Sequence, residues 1–300
     1  MSTSHETHTQ IVGVAAKHTH PLARKLTQRV IDFLSSRAVP FLIDTNTAAA
    51  FELTTTERVI QKCAREELTT KCNIIVVLGG DGTLISVSRH PSAKSPTIIG
   101  VNLGTLGFLT EIASDELIPT LEKVLAGQHP TARKFLLKAT VVRGGKQLVE
   151  FAAINDVVIT KEALARIFAV EISVDSTFAA LLKGDGVIVA SPSGSTAYSL
   201  AAGGSIVHPN VDALLLTPIC PHSLTSRPLV LPGKTNLGLK VFNTNKDETI
   251  YLTIDGQTGM PLQNGDQVQI TTSTYSICFA KSPTKDYFEV LGTKLKWAAK

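Results

Sequence analysis

Residues 74–83 read Ile-Ile-Val-Val-Leu-Gly-Gly-Asp-Gly-Thr. Five apolar, mostly β-branched residues predict a strand that is buried on both faces, as in a parallel sheet. The glycines that follow let the backbone turn tightly and approach a ligand with no Cβ in the way. A helix is expected from Thr83, and backbone N–H groups at a helix start favour a bound phosphate. The motif therefore indicates an α/β sheet with an anion site at one strand end.

The segments around this motif continue the α/β pattern. Residues 11–15 and 97–101 predict two more buried strands, while residues 22–34 and 114–125 have apolar residues at helical spacing. Ser114 is placed to cap the second of these helices. Strands that alternate with helices indicate βαβ units and an open parallel sheet.

Downstream of residue 135 the helical spacing fades and strand-like segments follow one another, which predicts an all-β domain. One helical interruption is expected around residues 196–203. The predicted strands are 136–142, 148–153, 157–160, 168–174, 187–190, 237–242, 249–254, 268–272 and 276–280.

Composition excludes several classes of protein. The 300 residues are 43% hydrophobic, so the chain can bury a core and is not intrinsically disordered. A net charge of +4 fits an anionic ligand but is too small for a nucleic-acid surface. No apolar run is long enough to span a membrane. The four cysteines have no C-x-x-C spacing, so neither a zinc site nor a disulfide framework is indicated.

Asp81 is the acidic residue inside the glycine loop. A carboxylate beside phosphates is unfavourable unless it has a task, such as binding Mg²⁺ or accepting the proton of an attacking hydroxyl. The alternative is an ordinary turn in which Asp81 only caps the helix. A second glycine-rich loop at residues 102–109 favours a nucleotide crevice, because the carboxyl ends of parallel strands line one ligand site. Phe108 in that loop is either a core residue or an aromatic wall for a ring.

Three polar stretches interrupt the β-rich part. The pair Asn155-Asp156 is either a turn or a binder of ribose hydroxyls. Residues 183–204 are rich in Gly, Ser and Thr, and Tyr198 there either stacks on a base or packs. This stretch lacks the Gly-x-Ser-x-Gly pattern of a serine hydrolase, which argues against that class. His222, in the proline-rich third stretch, makes either a structural hydrogen bond or a contact to phosphate.

Taken in order, these segments resemble the NAD kinase family, in particular its members from Gram-negative bacteria. The glycine-Asp loop alone is shared with diacylglycerol, sphingosine and phosphofructokinases, whereas the stretch around residues 191–204 is specific. The matching segments span most of the chain and are 79–83, 102–110, Asn155-Asp156, 185–204, 218–231, Asp255-Gly256-Gln257 and 293–297.

The resemblance implies ATP-dependent phosphorylation of the adenosine-ribose 2′-hydroxyl of NAD, which gives NADP. Asp81 matches the family's general base for that hydroxyl. The loop that would face the ATP phosphates comprises Gly79, Gly80, Gly82 and Thr83. The positions that match NAD contacts are Asp81, Gly82, Phe108, Asn155, Asp156, Arg166, Lys183, Asp185, Thr196, Ala197, Tyr198, Ser199 and Gln257.

The resemblance also implies an architecture and partners. An α/β nucleotide-binding domain at residues 1–134 is completed by residues 275–300, and a β-rich NAD-binding domain covers residues 135–274. Mg²⁺ or another divalent cation accompanies ATP without assigned protein ligands, and no tightly bound organic cofactor is expected. The protein is expected to be a cytoplasmic homodimer or homotetramer that binds neither nucleic acid nor membrane.

Three departures from the family pattern bear on these expectations. Asp156 replaces the usual Glu and shortens the arm that carries the carboxylate, and Ala190-Ser191 replaces the common Ser-Thr. Lys183 is basic, which in the family accompanies ATP rather than polyphosphate as donor. The alternatives are a lipid or sugar kinase with the same glycine loop, and a non-catalytic dinucleotide sensor.

Overall fold

The computed structural model describes residues 10–52, 61–161, 168–242 and 249–297. The chain divides into two compact units, Met1–Arg133 with Ile277–Lys300 and Lys134–Ser276. The first is an α/β unit with a parallel sheet and the second is rich in β-strands, which confirms the predicted fold class. Across the described ranges, no helix combines the length and apolar character that crossing a membrane requires.

The elements are numbered in chain order. The strands are β1 (Val12–Ala16), β2 (Phe41–Asp44), β3 (Gln61–Cys63), β4 (Ile74–Gly79), β5 (Thr97–Asn102), β6 (Thr131–Arg143), β7 (Lys146–Ala153), β8 (Asp156–Lys161), β9 (Phe168–Val174), β10 (Thr177–Gly184), β11 (Gly186–Ala190), β12 (Ala213–Ile219), β13 (Leu229–Pro232), β14 (Leu237–Phe242), β15 (Ile250–Ile254), β16 (Thr258–Leu262) and β17 (Gln267–Ala280). The α-helices are α1 (Pro21–Ser36), α2 (Thr45–Ala50), α3 (Leu68–Lys71), α4 (Asp81–Ser88), α5 (Leu117–Leu125), α6 (Tyr198–Ala201) and α7 (Tyr287–Leu295).

The first unit is built on a parallel sheet with the strand order β17-β5-β4-β1-β2-β3. The last strand of the chain joins it through Cys278 and Phe279, which lie beside the start of β5. Every residue of β1 and β4 is buried, and apolar side chains of α1 and α5 pack against the sheet. Because the strands are parallel, the loops that follow β1, β4 and β5 leave the same edge of the sheet.

Two helices of this unit start at positions that the sequence patterns did not predict. Helix α4 begins at Asp81 rather than Thr83, with Gly80 as its N-cap residue. Helix α5 begins at Leu117, so Ser114 is not its cap. The residues just before α5 form a turn in which the Glu116 carboxylate accepts the backbone N–H of Ala113 at 2.9 Å. That turn takes the place of the expected serine cap.

The second unit contains two sheets. One has the antiparallel order β13-β12-β11-β8-β15-β16; the other runs β10-β9-β14-β17, with β6 paired to both β17 and β7. Alternate residues of both sheets, such as Val157 and Leu239, share one apolar core. On the opposite face of β8 and β11, Val158 and Ile188 pack in a second, smaller cluster. Burial on both faces explains the continuous apolar run of β11.

Several β-strands of this unit escaped the sequence patterns. β12, β13 and β16 were not predicted, and neither was β10, whose residues Thr177–Leu181 are all exposed. β17 is one strand where two were predicted, because the backbone stays extended through the polar residues 273–275. The helix expected at 196–203 is a 3₁₀ turn, Ser193–Thr196, followed by the single turn of α6.

Candidate functional site

Asp81 lies in the first turn of α4, and its side chain turns towards the loop after β5. Its Oδ1 accepts the backbone N–H groups of Leu109 at 3.1 Å and Thr110 at 3.0 Å, and the Thr110 hydroxyl at 3.0 Å. Its Oδ2 accepts the N–H of Phe108 at 2.9 Å. The carboxylate therefore joins the two glycine-rich loops. The alternative that Asp81 only caps its own helix is wrong, since these donors all belong to the other loop.

Two glycines leave the space that the side chains of Asp81 and Thr83 occupy. A Cβ on Gly107 would lie 2.1 Å from Asp81 Oδ1 and 2.3 Å from the Thr110 hydroxyl oxygen. A Cβ on Gly79 would lie 2.5 Å from the Thr83 hydroxyl oxygen. Both positions therefore exclude any larger residue unless neighbouring atoms move. Beside them, Phe108 is half-buried, and the Lys294 ammonium lies 5.7 Å from its ring centre, within cation–π range.

A cavity of about 400 Å³ opens beside this loop in the same unit. Its lining residues come from the end of β1, the segment after β3 and the start of α4, and carry two exposed basic groups and several hydroxyls. They are Ala16, Lys17, His18, Thr19, Arg65, Gly80, Gly82, Thr83 and Ser86. The N-terminus of the eight-residue helix α4 adds a partial positive charge at this point. The arrangement suits a phosphate chain.

Arg65 in this cavity is held by a buried carboxylate. Its Nη2 lies 3.2 Å from Asp44 Oδ1, and its Nη1 donates to the Ser86 hydroxyl at 3.0 Å. Asp44 is fully buried and also caps α2 by accepting the N–H groups of Asn46 and Thr47. This ion pair and the bond to Ser86 hold the guanidinium against α4, whereas Lys17 is exposed.

A second candidate site lies in the β-rich unit. A cavity of about 390 Å³ is lined by Asn155, Asp156, Val158, Thr160, Ala197, Tyr198, Thr253, Asp255 and Gly256. Four of the residues predicted to bind NAD thus share one cavity, namely Asn155, Asp156, Ala197 and Tyr198. The side chain of Tyr198 is 45% exposed, which leaves its ring available to a ligand.

Asp156 is the unusual ionisable group of this cavity. It is buried, and desolvation together with the nearby charge of Asp255 raises the pKa of Asp156 to about 7. The backbone N–H of Tyr198 acts in the opposite direction and lowers this pKa. The carboxyl therefore changes its charge close to neutral pH, well above the ordinary range for aspartate.

Other residues predicted to bind NAD lie outside this cavity. Ser199 is fully buried, and its hydroxyl hydrogen-bonds that of Thr217 at 2.9 Å, while the Thr196 hydroxyl donates to the Ser193 carbonyl. Asp185 forms an ion pair with Lys161 at 3.3 Å.

Lys183 and Gln257 are exposed, on β10 and in the turn before β16 respectively. Arg166 lies outside the described residues.

The serines of this region serve the fold. The Ser195 hydroxyl is fully buried and donates to the Pro192 carbonyl at 2.6 Å, which fits the argument against a serine hydrolase. The Ser191 hydroxyl donates to the Ile154 carbonyl at 2.5 Å and so holds the turn that carries Asn155. The shared feature is a polar side chain that satisfies a buried backbone group.

The ionisable side chains Lys17, His18 and Arg65, which line the cavity beside the glycine loop, were not predicted as site residues, and Asp255 was named only within a matching segment, without a role. Lys17 and His18 follow a buried strand directly, which is a signal that was present in the sequence. The partnership of Arg65 with Asp44 links distant segments and carries no local signal. Among the described residues, no group of three or more His, Cys, Asp or Glu side chains could hold a metal ion.

Comparisons with known proteins find relatives that match nearly the whole chain. The family model described as the ATP-NAD kinase N-terminal domain matches residues 12–129, and that of the ATP-NAD kinase C-terminal domain matches residues 154–282. The NAD kinase of Geobacter sp. (strain M21) is 42% identical over 286 residues, which are 95% of this chain and 98% of the relative. The NAD kinase of Solibacter usitatus is 40% identical, over 95% of this chain and 96% of the relative.

Two solved structures share the fold. A yeast NADH kinase complexed with NADH superposes with a TM-score of 0.88 and 24% identity, covering 98% of this chain and 89% of its own. An NAD kinase from Archaeoglobus fulgidus in complex with ATP gives a TM-score of 0.71 and 22% identity, covering 94% of this chain and 98% of its own.

Proposed function

The chain belongs to the ATP-NAD kinase family, and from that premise we propose that it phosphorylates the 2′-hydroxyl of the adenosine ribose of NAD with Asp81 as the general base. It is a kinase that converts NAD to NADP. The proposal that Asp81 is the general base rests on the position of its carboxylate, which lies between two glycine-rich loops at the carboxyl ends of parallel strands.

The two oxygens of Asp81 are used unequally, which supports a base role. A carboxylate offers about four acceptor sites. Oδ1 accepts three bonds from Leu109 and Thr110, whereas Oδ2 accepts the one bond from Phe108 among the described residues. Oδ2 thus has room for the proton of the 2′-hydroxyl. As that proton moves to Oδ2, the ribose oxygen attacks the γ-phosphorus of ATP, the bond to the bridging oxygen breaks, and ADP leaves.

The cavity beside the glycine loop supports the placement of the phosphate donor. Lys17 and the N-terminus of α4 offer positive charge there, and Thr83 offers a hydroxyl group. A divalent cation bound to the ATP phosphates would supply further charge neutralisation. We propose ATP rather than polyphosphate as the donor, on the basic character of Lys183 and the family resemblance.

One assay tests the function directly. The protein is mixed with NAD, ATP and Mg²⁺, and the NADP formed is measured with an NADP-specific dehydrogenase. We expect NADP to accumulate with ATP and to stay at background when polyphosphate replaces ATP or when EDTA is added. A protein that binds NAD but forms no NADP with any donor would be a sensor rather than a kinase.

The donor cavity predicts a selective kinetic effect. Replacing Lys17 with alanine is expected to raise the KM for ATP roughly tenfold, because one charge-assisted contact to phosphate is lost. The KM for NAD should change by less than about twofold. Lys25→Ala, an exposed change on α1 outside the cavity, is the matched control. An equal rise in both KM values for Lys17→Ala would place the phosphates elsewhere.

The family resemblance supports two further proposals. Asn155 and Asp156 bind ribose hydroxyls of NAD, and Tyr198 provides an aromatic surface at the edge of the same cavity. The protein is a cytoplasmic homodimer or homotetramer.

A further inference from the structure

A single carboxylate holds the turn that presents Asn155 and Asp156. Asp255 Oδ1 accepts the backbone N–H groups of Asn155 at 2.7 Å and Asp156 at 3.0 Å, and its Oδ2 accepts that of Ile154 at 2.9 Å. The backbone N–H of Asp255 returns a bond to the Asp156 carbonyl at 2.9 Å. Three successive N–H groups that converge on one side chain fix both the path and the orientation of this turn.

Asp255 lies in the tight turn between β15 and β16, in which the Gln257 N–H donates to the Ile254 carbonyl at 2.9 Å. The φ of Asp255 is +51° and that of Gly256 is +65°. Asp-Gly is a favoured pair for a turn whose two central residues both have positive φ. This turn aims the Asp255 carboxylate at the turn between β7 and β8.

The same contact brings two carboxyl groups close together. Asp156 is only 4% exposed, and among the described residues no Lys or Arg forms an ion pair with it. Burial, and next the negative charge of Asp255, raise the pKa of Asp156 to about 7. A negative charge on Asp255 thus opposes ionisation of Asp156.

Among the ionisable groups around β8, Asp255 is the one whose charge shifts the pKa of Asp156. From α6, Tyr198 faces the cavity. On the neighbouring strand β15, Tyr251 pairs with Thr160 near the far end of β8, where Lys161 and Asp185 form an ion pair. The other neighbour, β11, is Gly-Val-Ile-Val-Ala and brings no ionisable side chain.

We propose that Asp255 is a positioning residue for the acceptor dinucleotide, which holds the Asn155–Asp156 pair at the cavity and makes NAD binding weaken as the pH falls below neutrality. The inference rests on the proposed function, in which this pair binds ribose hydroxyls. An ionised carboxylate accepts two hydroxyl protons, whereas a protonated one has lost part of that capacity.

The direction in which pH changes the affinity for NAD follows from the fraction of molecules in which Asp156 is ionised. When binding requires ionised Asp156, the observed affinity falls with the fraction of molecules that are ionised. One pH unit below the midpoint, about a tenth of the molecules carry the charge, so NAD binds roughly tenfold more weakly. Removing the charge of Asp255 makes ionisation of Asp156 easier and moves the midpoint to lower pH.

Isothermal titration of NAD at pH 6, 7 and 8, without ATP, tests this inference on the full chain. The wild-type protein should bind NAD roughly tenfold more weakly at pH 6 than at pH 8. In Asp255→Asn the ratio should fall below about threefold, and in Asp156→Asn it should vanish. The matched control is Asp175→Asn: Asp175 also has a positive φ and accepts a backbone N–H from a neighbouring loop, at Asn236, but lies outside the cavity.

Each outcome decides a separate question. A purely structural Asp255 would weaken NAD binding equally at both pH values in Asp255→Asn, and that result overturns the proposal. Should Asp255→Asn fail to fold, an unchanged ratio in Asp156→Asn overturns it equally well. Failure of the proposed function itself shows in the wild-type protein, as absence of NADP formation at pH 8.

Discussion

Replacing Asp81 with asparagine is expected to lower kcat by about 10²- to 10⁴-fold, the range that general-base catalysis contributes. The amide cannot take the proton of the 2′-hydroxyl, so the attacking oxygen keeps it in the transition state. Binding of NAD should change by less than about threefold, since the proposed ribose contacts are made by Asn155 and Asp156. Steady-state kinetics and titration of NAD on the same preparation measure both quantities.

The structural role of Asp81 demands a control for folding. The asparagine would place an NH₂ group against donors that now point at a carboxylate oxygen, so the Tm should be compared with that of the wild-type protein. Asp32→Asn is the matched variant, because Asp32 is an exposed carboxylate of α1 in the same unit. If Asp81→Asn turns over NAD at a near-normal rate, Asp81 is not the base. If kcat falls only together with a large loss of Tm, the carboxylate matters for the loop rather than for the proton.

The sequence predicted most reliably where burial dictates the pattern. β4 and β5 are largely apolar because both faces of each strand are covered, and Gly79 marks the end of β4. Strand β10 shows why the β-rich unit was harder: its exposed apolar residues, such as Phe178, follow no alternation. Alternation reports a half-buried face, so a strand without that face leaves no period to detect.

The side chains of the candidate site also differ in how far the sequence could predict their positions. Asn155, Asp156 and Tyr198 line one cavity, because they lie at the ends of neighbouring elements. Ser199 belongs to the same motif, yet its side chain faces the interior and bonds Thr217. A motif gives the order of residues along the chain, whereas the direction of each side chain depends on a turn of helix that only the packed structure defines.

The contacts of Asp255 and Arg65 have a different origin. Asp255 bonds backbone groups about 100 residues away, and the ion pair of Arg65 with Asp44 joins the segment after β3 to the end of β2. Such partnerships depend on how strands are ordered in a sheet, and nothing in the local sequence names the partner. These contacts could therefore not be predicted from the sequence.

Replacing Gly107 with alanine is expected to reduce kcat at least about a hundredfold, comparable to loss of the base itself. The new methyl group would lie 2.1 Å from Asp81 Oδ1, closer than any real Cβ contact, so either the carboxylate or the loop must move. Both movements break bonds that orient Asp81. Gly104→Ala provides the matched control, because Gly104 lies in the same loop and the nearest atom to a Cβ there, His20 Nε2, is 4.0 Å away.

The comparison between the two alanine variants isolates the fit of the loop around Asp81. Both add one methyl group to the loop after β5, so they differ chiefly in the space that the group meets. Kinetics at saturating NAD and ATP, together with Tm values, measure the outcome. We expect Gly104→Ala to retain kcat within about twofold and Gly107→Ala to lose it, because catalysis depends on holding the base to within a fraction of an ångström. Equal activity of the two variants would mean that the loop yields freely and that Asp81 does not depend on it for its orientation.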